Sequence, residues 1–208
     1  MSPTTSRVDV RKTYKLFIGG AFPRSESGRS YEVYAAPTRA GNRAFLANAA
    51  QGSRKDARNA VVAARKAVAG WSGATAYNRG QVLYRVAEVM ESRRDQLIAE
   101  VRATEGLTAA RGAAVVDAAI DRWVWYAGWT DKIAQVTGNV NPVAGPFFNI
   151  SAPEPTGVVA VVAPQEDSLL GLVSVVAPVV ATGNTCVVIA AQEHPLPAIT
   201  LAECLATS

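Results

Sequence analysis

The chain is short of the residues that most often carry catalysis and metal binding. Two of its 208 residues are cysteine and one is histidine. Cys186 and Cys204 cannot build a disulfide framework, and no Cys/His spacing suits zinc. Such usage fits a reducing compartment, so a cytoplasmic location is expected. Long apolar runs are also lacking. Val158 to Ala163 and Leu169 to Ala181 are apolar, but Gln165, Glu166 and Asp167 part them. A membrane span needs about 20 largely apolar residues without such a break. Met1 to Gly20 holds no apolar stretch of signal-peptide length, so a soluble protein with no membrane partner is expected. Charge of one sign is the third absence. All 21 Lys and Arg lie at or before Lys132, with 12 of the 17 acids, a balance of +9. The rest holds Glu154, Glu166, Asp167, Glu193 and Glu203 and no Lys or Arg, a balance of −5.

What is present is globular. Apolar residues make up 49% and charged residues 18%, enough for a core and too apolar for wholesale disorder. Met1 to Val10 is polar and reads as a frayed arm. Tyr14 to Ile18 and Tyr31 to Ala35 alternate on either side of Gly19-Gly20 and a polar stretch, the pattern of a strand, turn and strand. Phe45 to Ala49 suits another short strand. Ser53-Arg-Lys-Asp56 is a loose capping box, and Ala57, Val61, Ala64, Val68 and Trp71 behind it predict a helix over Arg54 to Ala69, ended by Gly70 to Gly73. A second helix starts near Thr75 and bends near Arg93. A third runs from about Ala109 to Val136 with Val116, Ile120, Trp123, Val124 and Ala127 inward. Asn139 to Pro155 is rich in Pro, Gly and Asn, with Phe147 to Ser151 extended. Gly157 to Ala163 then reads as a strand buried on both faces. Ser168 caps a helix to about Ala181, Thr185 to Ile189 forms a second buried strand, and Pro195 to Pro197 opens a last helix to about Ala206. This is a βαβ unit of a parallel sheet. A sheet of two such strands wants neighbours, so uncovered edges and poor autonomous stability are expected.

Several residues have a bland and a sharp reading. Cys186, among Thr185, Val187 and Val188, is a small core residue rather than a reactive thiol. His194 precedes Pro195 with no acid partner in sight and reads as an exposed loop residue. Glu166-Asp167 is a solvated acidic loop, since oxygen-ligand metal sites gather more ligands. Trp123, Trp125, Tyr126 and Trp129 suit packing better than base stacking, because only Arg122 and Lys132 flank them. Nucleic-acid binding through the basic half is the weakest functional reading, because its cations alternate with acids as on a solvated helix face.

Three stretches resemble the aldehyde dehydrogenase family. Leu16-Phe-Ile-Gly-Gly, with Tyr31-Glu-Val-Tyr and Pro37-Thr, matches its first hairpin. Tyr126-Ala-Gly-Trp-Thr-Asp-Lys-Ile133 is similar to one of its helices. Most specific is Pro155-Thr-Gly-Val-Val-Ala-Val-Val-Ala-Pro164, followed by Ala177-Pro-Val-Val-Ala-Thr-Gly-Asn-Thr185. The resemblance implies an α/β fold, the N-terminal part of a Rossmann-like cofactor domain with β-hairpin, three helices, βαβα and an incomplete parallel sheet. Its implied parts are a flexible arm over 1–13, a hairpin and helical part over 14–138, a segment over 139–155 crossing to an oligomerisation arm, and the βαβα over 156–208.

The resemblance also implies NAD- or NADP-dependent oxidation of aldehydes to acids. In the family a cysteine thiolate attacks the aldehyde and an asparagine amide helps hold the oxyanion. The cofactor positions correspond to Val162, Ala163, Pro164, Gln165, Ile189 and Gln192. Where the family reads Pro-Trp-Asn, this chain reads Pro164-Gln165-Glu166, and an ionised carboxylate only accepts hydrogen bonds. Where it reads Lys-Pro-Ser-Glu, this chain reads Ile189-Ala-Ala-Gln192, and no register supplies a cation. Neither cysteine matches the nucleophile's place. The expectation is a non-catalytic member that associates with its own copies or with an intact paralogue. The alternative is an active oxidoreductase once a further C-terminal part is present.

Overall fold

Gly19 and Gly20 make the first reversal of the chain. Their φ angles of +59° and +81° suit a two-residue hairpin turn of the primed type, and Ile18 and Ala21 exchange both backbone hydrogen bonds, at 2.9 and 3.1 Å. The computed structural model describes residues 12–208; Met1 to Val10, read as a frayed arm, lies outside the described residues. Strands β1 (Thr13–Tyr14), β2 (Ser30–Tyr34) and β3 (Phe45–Ala50) form one sheet in the order β1-β3-β2. The tyrosine-bearing runs therefore do not pair with each other as expected. Both pair with β3, β1 parallel and β2 antiparallel. Ala47 and Ala49 of β3 are buried in a small cluster with Val33 and Leu196. Thr13, assigned from sequence to the arm, already pairs with Asn48.

The helices follow local signals closely. Ser53 caps α1 (Arg54–Gly73) through a complete capping box with Asp56. The helix runs past Ala69 through both glycines, held there by Trp71, whose indole N–H donates to the Val180 carbonyl at 2.9 Å. Thr75 caps α2 (Ala76–Ser92), the chain breaks at Arg93, and α3 (Arg94–Glu105) ends on Gly106 in the left-handed region. Thr108 caps α4 (Ala109–Trp129), which stops well before Val136. Its end abuts Gly80 of α2, where a Cβ would lie 2.7 Å from the Thr130 hydroxyl. A short α5 (Ile133–Thr137) follows. The inward face of α4 is Gly112, Val116, Ala119, Trp123 and Ala127. Val124 is one residue out of that stripe and 40% exposed, not inward.

Beyond α5, β4 (Asn139–Val140) and β5 (Ile150–Ser151) form a two-stranded ribbon. Only the last two residues of the extended run from Phe147 take part. Then come β6 (Val158–Val162), α6 (Leu170–Ala181), β7 (Thr185–Ile189) and α7 (Leu196–Ala206). β6 and β7 are parallel, in register from Val158↔Thr185 to Val162↔Ile189. Thr185 donates its hydroxyl to Ala64 of α1, while Cys186 and Val188, on the opposite face by alternation, pack into the main core. That core centres on Trp123, Leu83, Met90, Leu97, Leu169 and Val173. The strands are less enclosed than their β-branched composition predicts. Val162 is 68% and Ile189 62% exposed, because among the described residues neither strand has a second neighbour.

Candidate functional site at the ends of the parallel strands

In open α/β sheets, ligands settle in the crevice beyond the carboxyl ends of the strands. Here that crevice lies between the loops after β6 and β7. The Ala163 N–H donates to the Ile189 carbonyl at 2.9 Å, carrying the pairing one step past the strands. Ala163 is buried, whereas Pro164, Gln165, Glu166, Ile189 and Gln192 are exposed. The Gln165 side chain spans the crevice. Its Nε2 donates to the Ala163 carbonyl at 2.9 Å, and its Oε1 accepts from the Gln192 N–H at 3.0 Å. The fold thus gathers Val162, Ala163, Pro164, Gln165, Ile189 and Gln192, widely separated in sequence, at one place.

Helix α6 begins beside this crevice, but not as its sequence suggests. Ser168 is buried and does not cap; the first helical turn has no side-chain cap. Instead the Ser168 N–H donates to Glu105 Oε1 at 2.9 Å, and its hydroxyl donates to the same oxygen. Glu105, the last residue of α3, thus serves the approach to α6. Asp167 is not a freely solvated loop acid either. Its Oδ1 is buried without a hydrogen-bond partner, next to a helix N-terminus whose dipole favours negative charge. Gly171 lets the loop fold this closely, since a Cβ there would lie 3.0 Å from Pro164 and 3.1 Å from Asp167. Glu166 is exposed and makes no hydrogen bond or ion pair among the described residues.

Folding also redistributes the charge asymmetry of the sequence. Arg43, from the loop between β2 and β3, reaches Glu193 at 3.6 Å and donates to the Ala35 carbonyl at 3.1 Å. A cation therefore does approach the loop after β7, which no sequence register provides, but it engages Glu193 rather than the position of Ile189. Glu203 accepts Lys12 and Arg93, each at 2.6 Å. Burial would raise its carboxyl, and these two cations bring it below the ordinary value. Glu166 and Asp167 receive no such partner.

The other candidate residues are structural. Burial pushes up both the Cys186 and Cys204 thiols, so neither is primed as a thiolate. His194 is half-buried rather than exposed, with Nδ1 shielded and unpartnered; the neighbouring Leu196, seated in the small cluster on the three-stranded sheet, draws it inward. Trp123 is buried and Tyr126 packs against the core, as expected of a packing cluster. Trp125 and Trp129 contact each other at 5.9 Å between ring centres. Two cavities, of about 440 and 470 Å³, lie against the three-stranded sheet and do not include the crevice. Sequence reasoning missed Glu105, Gly171 and Arg43. Only Gly171 left a local trace, as a glycine in a first helical turn.

Parallel strands flanked by helices, with a crevice at their carboxyl ends, define a protein of the dinucleotide-binding fold class. The Aldehyde dehydrogenase family matches residues 24–208, and the chain belongs to that family. It is 33% identical over 198 residues to Aldehyde dehydrogenase 1A1 of Gallus gallus, covering 92% of this chain and 37% of that protein. It is 35% identical over 186 residues to an aldehyde dehydrogenase of Alternaria alternata, covering 88% and 36%. Among solved structures, the NAD+ complex of aldehyde dehydrogenase from Bacillus cereus superposes with a TM-score of 0.87 at 27% identity, over 94% of this chain and 39% of that one. The chain thus spans less than two fifths of the length of these relatives and matches the N-terminal portion of the fold. No helix among the described residues is long and apolar enough to cross a membrane.

Proposed function

We propose that this chain is an aldehyde dehydrogenase family protein whose cofactor crevice is silent. The family's activity, NAD- or NADP-dependent oxidation of an aldehyde to its acid, is then not performed by the residues present. The observation that carries this reading is the charge around the start of α6. A dinucleotide brings an anionic pyrophosphate, which suits a free helix N-terminus and a cation. Here that N-terminus faces Asp167, with one oxygen buried and unpaired, and Glu105 holds the Ser168 N–H. Glu166, an acceptor-only group when ionised, stands where an amide donor would serve an oxyanion. Ile189 offers no donor at the position of the family's lysine, and Arg43 is spent on Glu193. The residues present do not fit the group, so no catalytic step is assigned to them.

Association is the capacity that remains, with a second copy of the chain or an intact paralogue. The ribbon segment supports it, since Val140, Phe147, Phe148 and Ile150 are all exposed, the phenylalanines by 74% and 78%. Single exposed apolar residues are ordinary, but these four within the eleven residues from Val140 to Ile150 favour an interaction surface here. Purified chain should give no aldehyde-dependent NADH above a heat-killed control, and NAD and NADP should give flat isothermal titrations. NADH formation would overturn the reading.

A further inference from the structure

We infer that Gln165 is a built-in occupant of the crevice: its side-chain amide clips the ends of β6 and β7 together on backbone groups that a ligand there would use. The inference rests on reading this crevice as the family's cofactor position, and it adds a device to the loss of charge. The chemistry is complementary. At the strand ends the Ala163 N–H and the Ile189 carbonyl already satisfy each other. Beside that pair lie an acceptor, the Ala163 carbonyl, and a donor, the Gln192 N–H. A primary amide offers a donor and an acceptor on two separate atoms of one planar group, so it can bridge two backbone groups at once. Gln165 uses one of each, at 2.9 and 3.0 Å. A carboxylate at this position would repel the Ala163 carbonyl, and an apolar side chain would leave both groups free. The crevice is therefore satisfied without a ligand, and anything entering must first displace the clip.

The test uses the full chain and two variants, Gln165→Ala and Gln165→Glu, followed by amide NMR with NAD as probe. In the wild type the Gln192 N–H should be protected from exchange. Gln165→Ala should speed its exchange about tenfold, the worth of one or two neutral hydrogen bonds. Gln165→Glu should keep that protection, because a carboxylate still accepts. NAD should then shift the Gln192 resonance of Gln165→Ala at millimolar levels that leave the wild-type resonance unmoved. Equal Gln192 exchange in wild type and Gln165→Ala would overturn the clip. So would a NAD response at the same concentration in both, or in neither at millimolar levels; the last result would leave the silent-site reading standing. Tight NAD binding by the wild type with Gln192 still protected would sink the silent site and also show that the clip blocks nothing.

Discussion

Helices α1 and α6 start from the same problem and solve it differently. Each follows a loop that leaves a strand, and each has N–H groups with no partner within the helix. At α1 the answer is local and complete. The Ser53 hydroxyl accepts from the Asp56 N–H at 3.2 Å, and Asp56 accepts the Ser53 N–H at 2.8 Å. The same carboxylate accepts the Ser25 hydroxyl at 2.8 Å and the Glu26 N–H at 3.1 Å, pinning the turn before β2 to the helix. Burial alone would raise the Asp56 carboxyl, yet these donors hold it down at about 2. At α6 nothing local caps the helix. Its approach borrows Glu105, and its nearest acid keeps a buried oxygen unpaired. Proteins keep local rules where only stability is at stake and break them where ligands sit. Helices α3, α5 and α7 also start without a side-chain cap, so what sets α6 apart is the acid beside it with a buried, unpaired oxygen.

The comparison can be broken most sharply at Asp56. Asp56→Ala removes the cap and leaves buried donors without a partner, and should cost about 2–4 kcal/mol in urea unfolding. A cost near zero would mean the pin is ornamental. The pH dependence sharpens the same point. A carboxyl with a folded pKa of about 2, below its ordinary 3.8, stabilises the fold above that ordinary value. That contribution disappears as pH falls through the interval toward 2. Asp56→Asn should therefore flatten the acid limb of the stability curve between those limits. Glu105→Ala should come next, at about 1–2 kcal/mol, because the Ser168 N–H and hydroxyl lose their acceptor. No effect there would mean that Ser168 caps α6 after all. Glu166→Asn should be the smallest, within about 0.5 kcal/mol by the same measurement, since Glu166 is exposed and unbonded. A larger loss would show that this side chain supports the fold.

What could be read from sequence was what is encoded within a few residues. Ser53 caps its helix as its spacing predicts, the next helices begin near Thr75 and at Ala109 as expected, the kink falls at Arg93, and the β-branched runs at Val158 and Thr185 are parallel partners. The family was legible because Pro155 to Pro164 and Ala177 to Thr185 are continuous segments. The crevice residues followed from that resemblance. The rest depends on pairings across the chain. Glu105 meets Ser168 across 63 positions and Gln165 meets Gln192 across 27. Nothing near Ser168 announces that its hydroxyl will face away from its own helix. The sheet order β1-β3-β2 was equally hidden, because alternation marks a strand but does not name its neighbour. The true burial of β6 and β7 escaped as well, since a β-branched run reports a preference for enclosure and not the number of strands beside it.

The meeting of Lys12 and Arg93 on one carboxylate has a mechanical corollary. Glu203 sits in α7, Lys12 just before β1 and Arg93 at the hinge between α2 and α3. Opening of β1 or of α7 must loosen the same knot, so the two should open together rather than one after the other. Because all three groups are partly solvent-facing, added salt weakens that coupling from both sides at once. A fluorophore attached near Lys12 would then report the unwinding of α7.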